Sequence, residues 1–159
     1  MEFFKFLKNQ IKKAKITEEV FSKRDFYNML NNNRKNAHYG KTSNCIGTAL
    51  YLVGEQERDE CVWNKRRTFF EKLKLSEKPG LGYIITWGNE TTKLAHAAVI
   101  TGVNPMTVAT RNGSCDPFEP KQKFEETNEF YSGKLGYTNI LYFIPSRLQK
   151  ILDEEGGKN

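Results

Sequence analysis

Apolar positions change their spacing once along this chain, from helical intervals in the first half to alternating or unbroken runs in the second. Phe3, Phe4, Leu7, Ile11 and Ala14 recur at helical spacing, with Lys5, Lys8, Lys12, Lys13 and Lys15 mostly elsewhere on the wheel. The pattern predicts a basic amphipathic helix. Such helices ordinarily pack their apolar face on the domain, and less often lie on a membrane or a partner. Thr17 is a candidate N-cap for a second helix over 17–30, ended by the polar run Asn31-Asn32-Asn33-Arg34-Lys35-Asn36, which reads as a loop. A third helix is expected over 44–53, with Gly54 as its stop. After the mostly charged stretch 55–60, Val62, Trp63, Phe69, Phe70 and Leu73 are the apolar positions of a fourth helical segment.

Pro79-Gly80 separates the halves, and strand patterns follow it. Strands are expected over 83–87, 96–101, 106–111 and 137–144, with Asn104-Pro105 as a turn and Pro145 ending the last of them. A final helix over 146–155 runs up to Gly156-Gly157. Helices followed by an antiparallel sheet make an α+β domain. No repeat, low-complexity tract or linker divides the 159 residues, so one domain over 1–159 is expected.

Composition narrows the function classes. With 11 Phe, 7 Tyr and 2 Trp, the chain can bury a core and does not have a disordered composition. No apolar run approaches the roughly 20 residues of a membrane span. The start, Met1-Glu2-Phe3-Phe4-Lys5-Phe6-Leu7-Lys8, lacks the uncharged core of a signal peptide. A cytoplasmic location is therefore the expectation, with secretion by a route without a cleavable signal as the exception. Three widely spaced cysteines, Cys45, Cys61 and Cys115, form neither a CxxC pair nor a Cys/His ligand cluster. No metal, cofactor or disulfide framework is expected, and so few thiols suit a reducing compartment. The net charge of +6 permits an acidic partner without requiring one.

The candidate chemistry lies where the two halves meet. Cys45 opens the apolar helix Asn44-Cys45-Ile46-Gly47-Thr48-Ala49-Leu50, and Asn44 is placed to cap it. A thiol in the first helical turn sits in the positive end of the helix dipole, which favours thiolate. Gly47 leaves room beside it for a substrate or for another backbone. His96 opens the apolar strand His96-Ala97-Ala98-Val99-Ile100, where it is either a structural histidine or a base for the thiol. The turn at Asn104-Pro105 brings residues 110 to 113 back opposite His96, and Thr110 and Asn112 share one face by alternation. Either can orient the imidazole; Asn112 has the better acceptor, and Arg111 projects the other way. His38 reads as a surface residue. Cys61 lies among Glu57, Asp59 and Glu60, whose charge disfavours thiolate, and Cys115 sits in a loop.

These residues resemble the NlpC/P60 branch of the papain-like cysteine hydrolases. Tyr39-Gly40-Lys41-Thr42-Ser43-Asn44-Cys45-Ile46-Gly47 is similar to that family's tyrosine-glycine segment followed by Asp-Cys-Ser-Gly. Pro79-Gly80-Leu81-Gly82 resembles its Pro-Gly-Asp-Leu strand, and His96-Ala97-Ala98-Val99-Ile100 its His-Val-Gly-Ile-Tyr strand. The likeness covers residues 39 to 113 and leaves 1–36 as an N-terminal helical extension. Asn44, Ile46 and Leu81 depart from the family pattern, and no histidine stands at its third catalytic position, near Thr110 to Asn112.

The resemblance implies a papain-like domain whose sheet packs against the cysteine-bearing helix. It also implies a thiol peptidase or amidase with Cys45 as nucleophile and His96 as base. The Cys45 backbone N–H and the Tyr39 hydroxyl would serve the oxyanion, and the substrate would be a peptide or amide, with peptidoglycan-derived peptides as the family's usual target. The other function class is a non-catalytic binding module with a basic face. Lys65, Arg66 and Arg67, between Trp63 and Phe69, suit phosphate contacts and stacking on nucleic acid, although a solvated helix face explains the same residues. Nucleic acid is the lesser expectation, and oligomeric state is not legible.

Overall fold

A computed structural model describes residues 21–37, 43–62, 70–89, 93–113 and 116–157. Among these residues the fold is α+β, with four α-helices and a six-stranded antiparallel sheet. The helices are α1 (Lys23–Ala37), α2 (Cys45–Leu52), α3 (Phe124–Asn128) and α4 (Ser146–Gly156). The strands are β1 (Lys74–Ser76), β2 (Ile84–Asn89), β3 (Lys93–Val103), β4 (Met106–Arg111), β5 (Phe118–Lys123) and β6 (Asn139–Ile144), in the spatial order β1-β6-β2-β3-β4-β5. A π-helical segment, Glu129–Lys134, continues directly from α3.

Helix α1 begins with a reciprocal cap. The Ser22 backbone N–H and hydroxyl both donate to the Asp25 carboxylate, and the Asp25 N–H donates back to Ser22 Oγ. The expected loop at 31–36 is instead helical, and α1 runs on to Ala37. Tertiary contacts override the weak helix propensity of the asparagines. Asn33 Nδ2 donates to the Tyr51 and Leu52 carbonyls at the end of α2, and Arg34 Nε donates to Pro120 O on the edge strand β5. Phe26, Leu30 and Ala37 are buried in the main core, so the described part of segment 1–36 is built into the domain. The 1–20 stretch, with Thr17 and the basic amphipathic pattern, lies outside the described residues.

The sheet carries apolar side chains on both faces. Ile84, Ala97, Val99 and Ala109 join the core formed with α1, α2 and α4. Ile85, Trp87, Ala98, Ile100 and Val108 point the other way, into a second cluster closed by Tyr131 of the π-helix. Burial on both faces explains why β2 and β3 read as unbroken apolar runs rather than as alternations. The β3–β4 hairpin pairs Val103 with Met106 across a two-residue turn, and β4 has the bounds its pattern predicts. Strand β3 starts at Lys93, before His96, and runs past the expected end to Val103. Strand β6 starts at Asn139, two residues after the expected position.

Three elements lacked a readable signal. Strand β1 takes Lys74–Ser76, just beyond the expected fourth helical segment, of which only Phe70 and Glu71 among the described residues are helical. Strand β5 has the sequence FEPKQK with mostly exposed positions, and edge strands of this kind lose the apolar alternation. Helix α3 and its π-helical continuation have no regular apolar spacing.

Candidate active site

Helix α2 is held at its start by a complete side-chain cap. Asn44 Oδ1 accepts from the Gly47 N–H at 2.8 Å and from the Val62 N–H at 3.3 Å, while its Nδ2 donates to Val62 O at 3.2 Å. Cys45 is therefore the first helical residue, half-buried, with its neighbours Ile46, Gly47 and Thr48 inside. Gly54 ends the helix with φ of 77°, a conformation that favours glycine, and its N–H donates to Tyr51 O. The space beside Gly47 belongs to another backbone: a Cβ there would overlap the Glu60 carbonyl oxygen and press on Ser43 Oγ. Gln56 fastens the same loop through Nε2 to the Arg58 and Glu60 carbonyls.

His96 stands at the far side of the sheet from the body of α2. Its ring is 1 % exposed and belongs with Ala98, Trp87 and Tyr131, whereas Ala97 and Val99 face the helix. The hairpin register sets Thr110 beside it, and Thr110 Oγ1 lies 2.7 Å from His96 Nε2 and 3.4 Å from Ala97 O. Of the two polar residues sharing this strand face, Thr110 meets the imidazole. Asn112 is exposed, and it is its backbone carbonyl that is engaged, by the Tyr131 hydroxyl at 3.1 Å. Burial alone pushes the His96 imidazole down to about 3, so it is neutral at physiological pH.

Tyr131 links the two halves of the site. Its ring stacks on His96 with centroids 3.8 Å apart and planes 9° from parallel. Its phenol is held above the usual range by burial first and then by the neighbouring Cys45 and Asp116. Tyr131 therefore stacks on the buried imidazole and lies near enough to Cys45 for its charge to bear on the phenol. Sequence reasoning missed Tyr131, because it sits in an irregular stretch with no apolar period.

Thr48 of the same helix joins a buried polar network whose members, Arg111 above all, sequence reasoning also left without a role. Arg111 projects to the α2 face, as alternation predicts, and is 1 % exposed. Its Nε donates to Thr48 Oγ1 at 3.1 Å, and its guanidinium reaches Asp59, the Ala37 carbonyl and the Asp116 carbonyl. Thr48 in turn donates to Asp59 Oδ1 at 2.7 Å. One cation thus ties together α2, the end of α1, the 55–60 loop and the segment after β4. A charged residue closing an apolar strand was the only available signal.

Tyr39, His38 and Cys115 lie outside the described residues, as do Lys65, Arg66 and Arg67. Among the described residues no group of three His, Cys, Asp or Glu side chains is placed to hold a metal ion, and no helix is long and apolar enough to cross a membrane. Comparison with protein-family models, curated proteins and solved structures finds no match to this chain.

Proposed function

We propose that the protein is a cysteine-dependent hydrolase of amide or peptide bonds, on a papain-like arrangement of helix and sheet, with Cys45 as nucleophile and His96 as base. The observation that carries this reading is the position of Tyr131, stacked on His96 and within electrostatic reach of Cys45. Thr110 is the orienting residue. His96 Nε2–H donates to Thr110 Oγ1, whose own hydrogen goes to Ala97 O, leaving Nδ1 with the lone pair.

The imidazole starts neutral and takes the thiol proton as the sulfur attacks the carbonyl carbon. The Cys45 backbone N–H, at the positive end of the helix, donates to the developing oxyanion. The imidazolium then returns its proton to the leaving amine, and water cleaves the thioester to release the acid and the thiol. A peptide or peptide-like amide is the substrate class, peptidoglycan-derived peptides among them.

A non-catalytic fold is the second reading, and the burial of His96 favours it, since a ring packed between Trp87, Thr110 and Tyr131 also describes a structural histidine. Alkylation of Cys45 by iodoacetamide, mapped by peptide mass spectrometry, separates the two. The catalytic reading expects Cys45 to react faster than Cys61 at neutral pH and to lose that advantage in His96→Ala. Equal rates for both cysteines, unchanged by the substitution, leave only the structural role.

A further inference from the structure

We propose that Tyr131 is a removable stopper over His96, so that the site rests in a closed, self-inhibited state. Its regulatory meaning rests on the catalytic reading above; the closure itself is a matter of packing. A base that hands a proton to a leaving amine must meet the substrate, yet His96 is 1 % exposed. Something above the ring has to move.

The neighbours of His96 differ in how firmly they are fixed. Trp87 is fully buried on the central strand β2, and its Nε1 is bonded to Asn128 Oδ1 at 3.1 Å. Thr110 belongs to β4, paired on both sides. Among the described ring and hydrogen-bond partners of His96, Tyr131 is the one that comes from outside the sheet. It is the sole buried residue of the π-helical segment Glu129–Lys134, so that segment is seated by one side chain. Its hydroxyl is latched by a single bond to the Asn112 carbonyl, beyond the end of β4.

The chain around the stopper is lightly held. Phe130 is 46 % and Leu135 50 % exposed, so the flanking apolar residues contribute little to seating it. Gly136 follows with φ of 76° and has nothing near the position a side chain would fill. π-Helical turns are rare and concentrate at functional sites. A segment with few buried contacts opens at lower cost than the strands beneath it. Swinging Glu129–Lys134 outward withdraws the ring from His96 and uncovers the imidazole while leaving the sheet paired.

The test is chemical modification of His96 by diethyl pyrocarbonate on the full chain, mapped by peptide mass spectrometry against N-acetylhistidine in the same tube. In the wild-type protein His96 should react far more slowly than the free reference. Tyr131→Ala should speed that reaction roughly tenfold or more, and Tyr131→Phe, which keeps the ring but loses the Asn112 latch, by a smaller factor. Wild-type reaction at the reference rate, or no acceleration in a folded Tyr131→Ala, overturns the proposal. Should Tyr131→Ala fail to fold, amide hydrogen exchange of the wild type decides. Exchange of 129–136 ahead of 96–100 supports a separate opening, and exchange of both only with global unfolding refutes it. These readings do not involve Cys45, so failure of the catalytic reading shows up independently, in the alkylation rates.

Discussion

The guanidinium of Arg111 meets the carboxylate of Asp59 at 3.1 Å with both side chains almost entirely withdrawn from water. The pair is joined to the cysteine-bearing helix through Thr48. Ion pairs in such places cost desolvation, and their net contribution to stability is small while both partners are present. Removing one is another matter. Arg111→Ala leaves a buried carboxylate without its counter-charge and strips a donor from the Thr48 hydroxyl and from two backbone carbonyls. A loss of about 3–5 kcal/mol is expected. Urea unfolding at pH 7 measures it, and a loss below about 1 kcal/mol would mean that water replaces the guanidinium without cost.

Gly47 offers a prediction about why a glycine follows the thiol so closely. The Glu60 carbonyl occupies the space a side chain would take. Gly47→Ala should therefore lower stability by about 1–3 kcal/mol, despite the better helix propensity of alanine. Thermal unfolding would reveal the opposite sign if the 55–60 loop simply moves aside.

The Asn44 cap has two separable parts. Asn44→Ala removes the acceptor for the Gly47 and Val62 N–H groups and should cost about 1 kcal/mol or somewhat more. Asn44→Asp keeps that acceptor but places a negative charge beside the thiol, which disfavours thiolate. Its Cys45 should alkylate more slowly than wild type at pH 7, with the helix intact by circular dichroism.

His96 makes stability depend on pH. Its folded value, about 3, lies below the ordinary 6.5, so the unfolded chain binds the proton more readily. Its contribution is complete above pH 6.5 and declines as the pH falls through the window down to about 3. At 1.36 kcal/mol per unit, the full effect is on the order of 5 kcal/mol. Urea midpoints between pH 7 and pH 4 should fall more steeply for wild type than for His96→Gln. Parallel curves would show that the imidazole charges without hindrance in the folded state.

Thr110 tests the orienting bond. Thr110→Val keeps the shape and leaves His96 Nε2 without its partner, at a cost of about 1–3 kcal/mol. If the imidazole serves Cys45, the same change should also slow Cys45 alkylation; Asn112→Ala, whose side chain is exposed, should leave both readouts near wild type.

Several features of this structure are legible in the sequence because their causes are local. Asn44 caps a helix, Pro145 ends a strand, and Asn104-Pro105 turns a hairpin through backbone and side-chain preferences spanning only a few residues. The two-residue turn then brings Thr110 and His96 together, as alternation had allowed. What no local pattern carried was the outcome of competition between distant segments. Asn31, Asn32 and Asn33 are poor helix residues in isolation, yet α1 continues through them because the Asn33 and Arg34 side chains meet the end of α2 and the edge of β5. Strands β1 and β5 exist because a neighbour offers unpaired backbone, not because their residues alternate.

The site divides along the same line. That a thiol opens a capped helix and a histidine sits on an apolar strand follows from the order of residues. Tertiary structure decided that the imidazole leaves β3 on the face away from α2, that Thr110 rather than the side chain of Asn112 meets it, and that Tyr131 covers it. It also decided that Arg111 is buried against Asp59. Capping and alternation act over one turn or one pleat, so sequence spells them out. Burial of a charge or a ring depends on partners dozens of residues away, whose meeting only the folded chain can arrange.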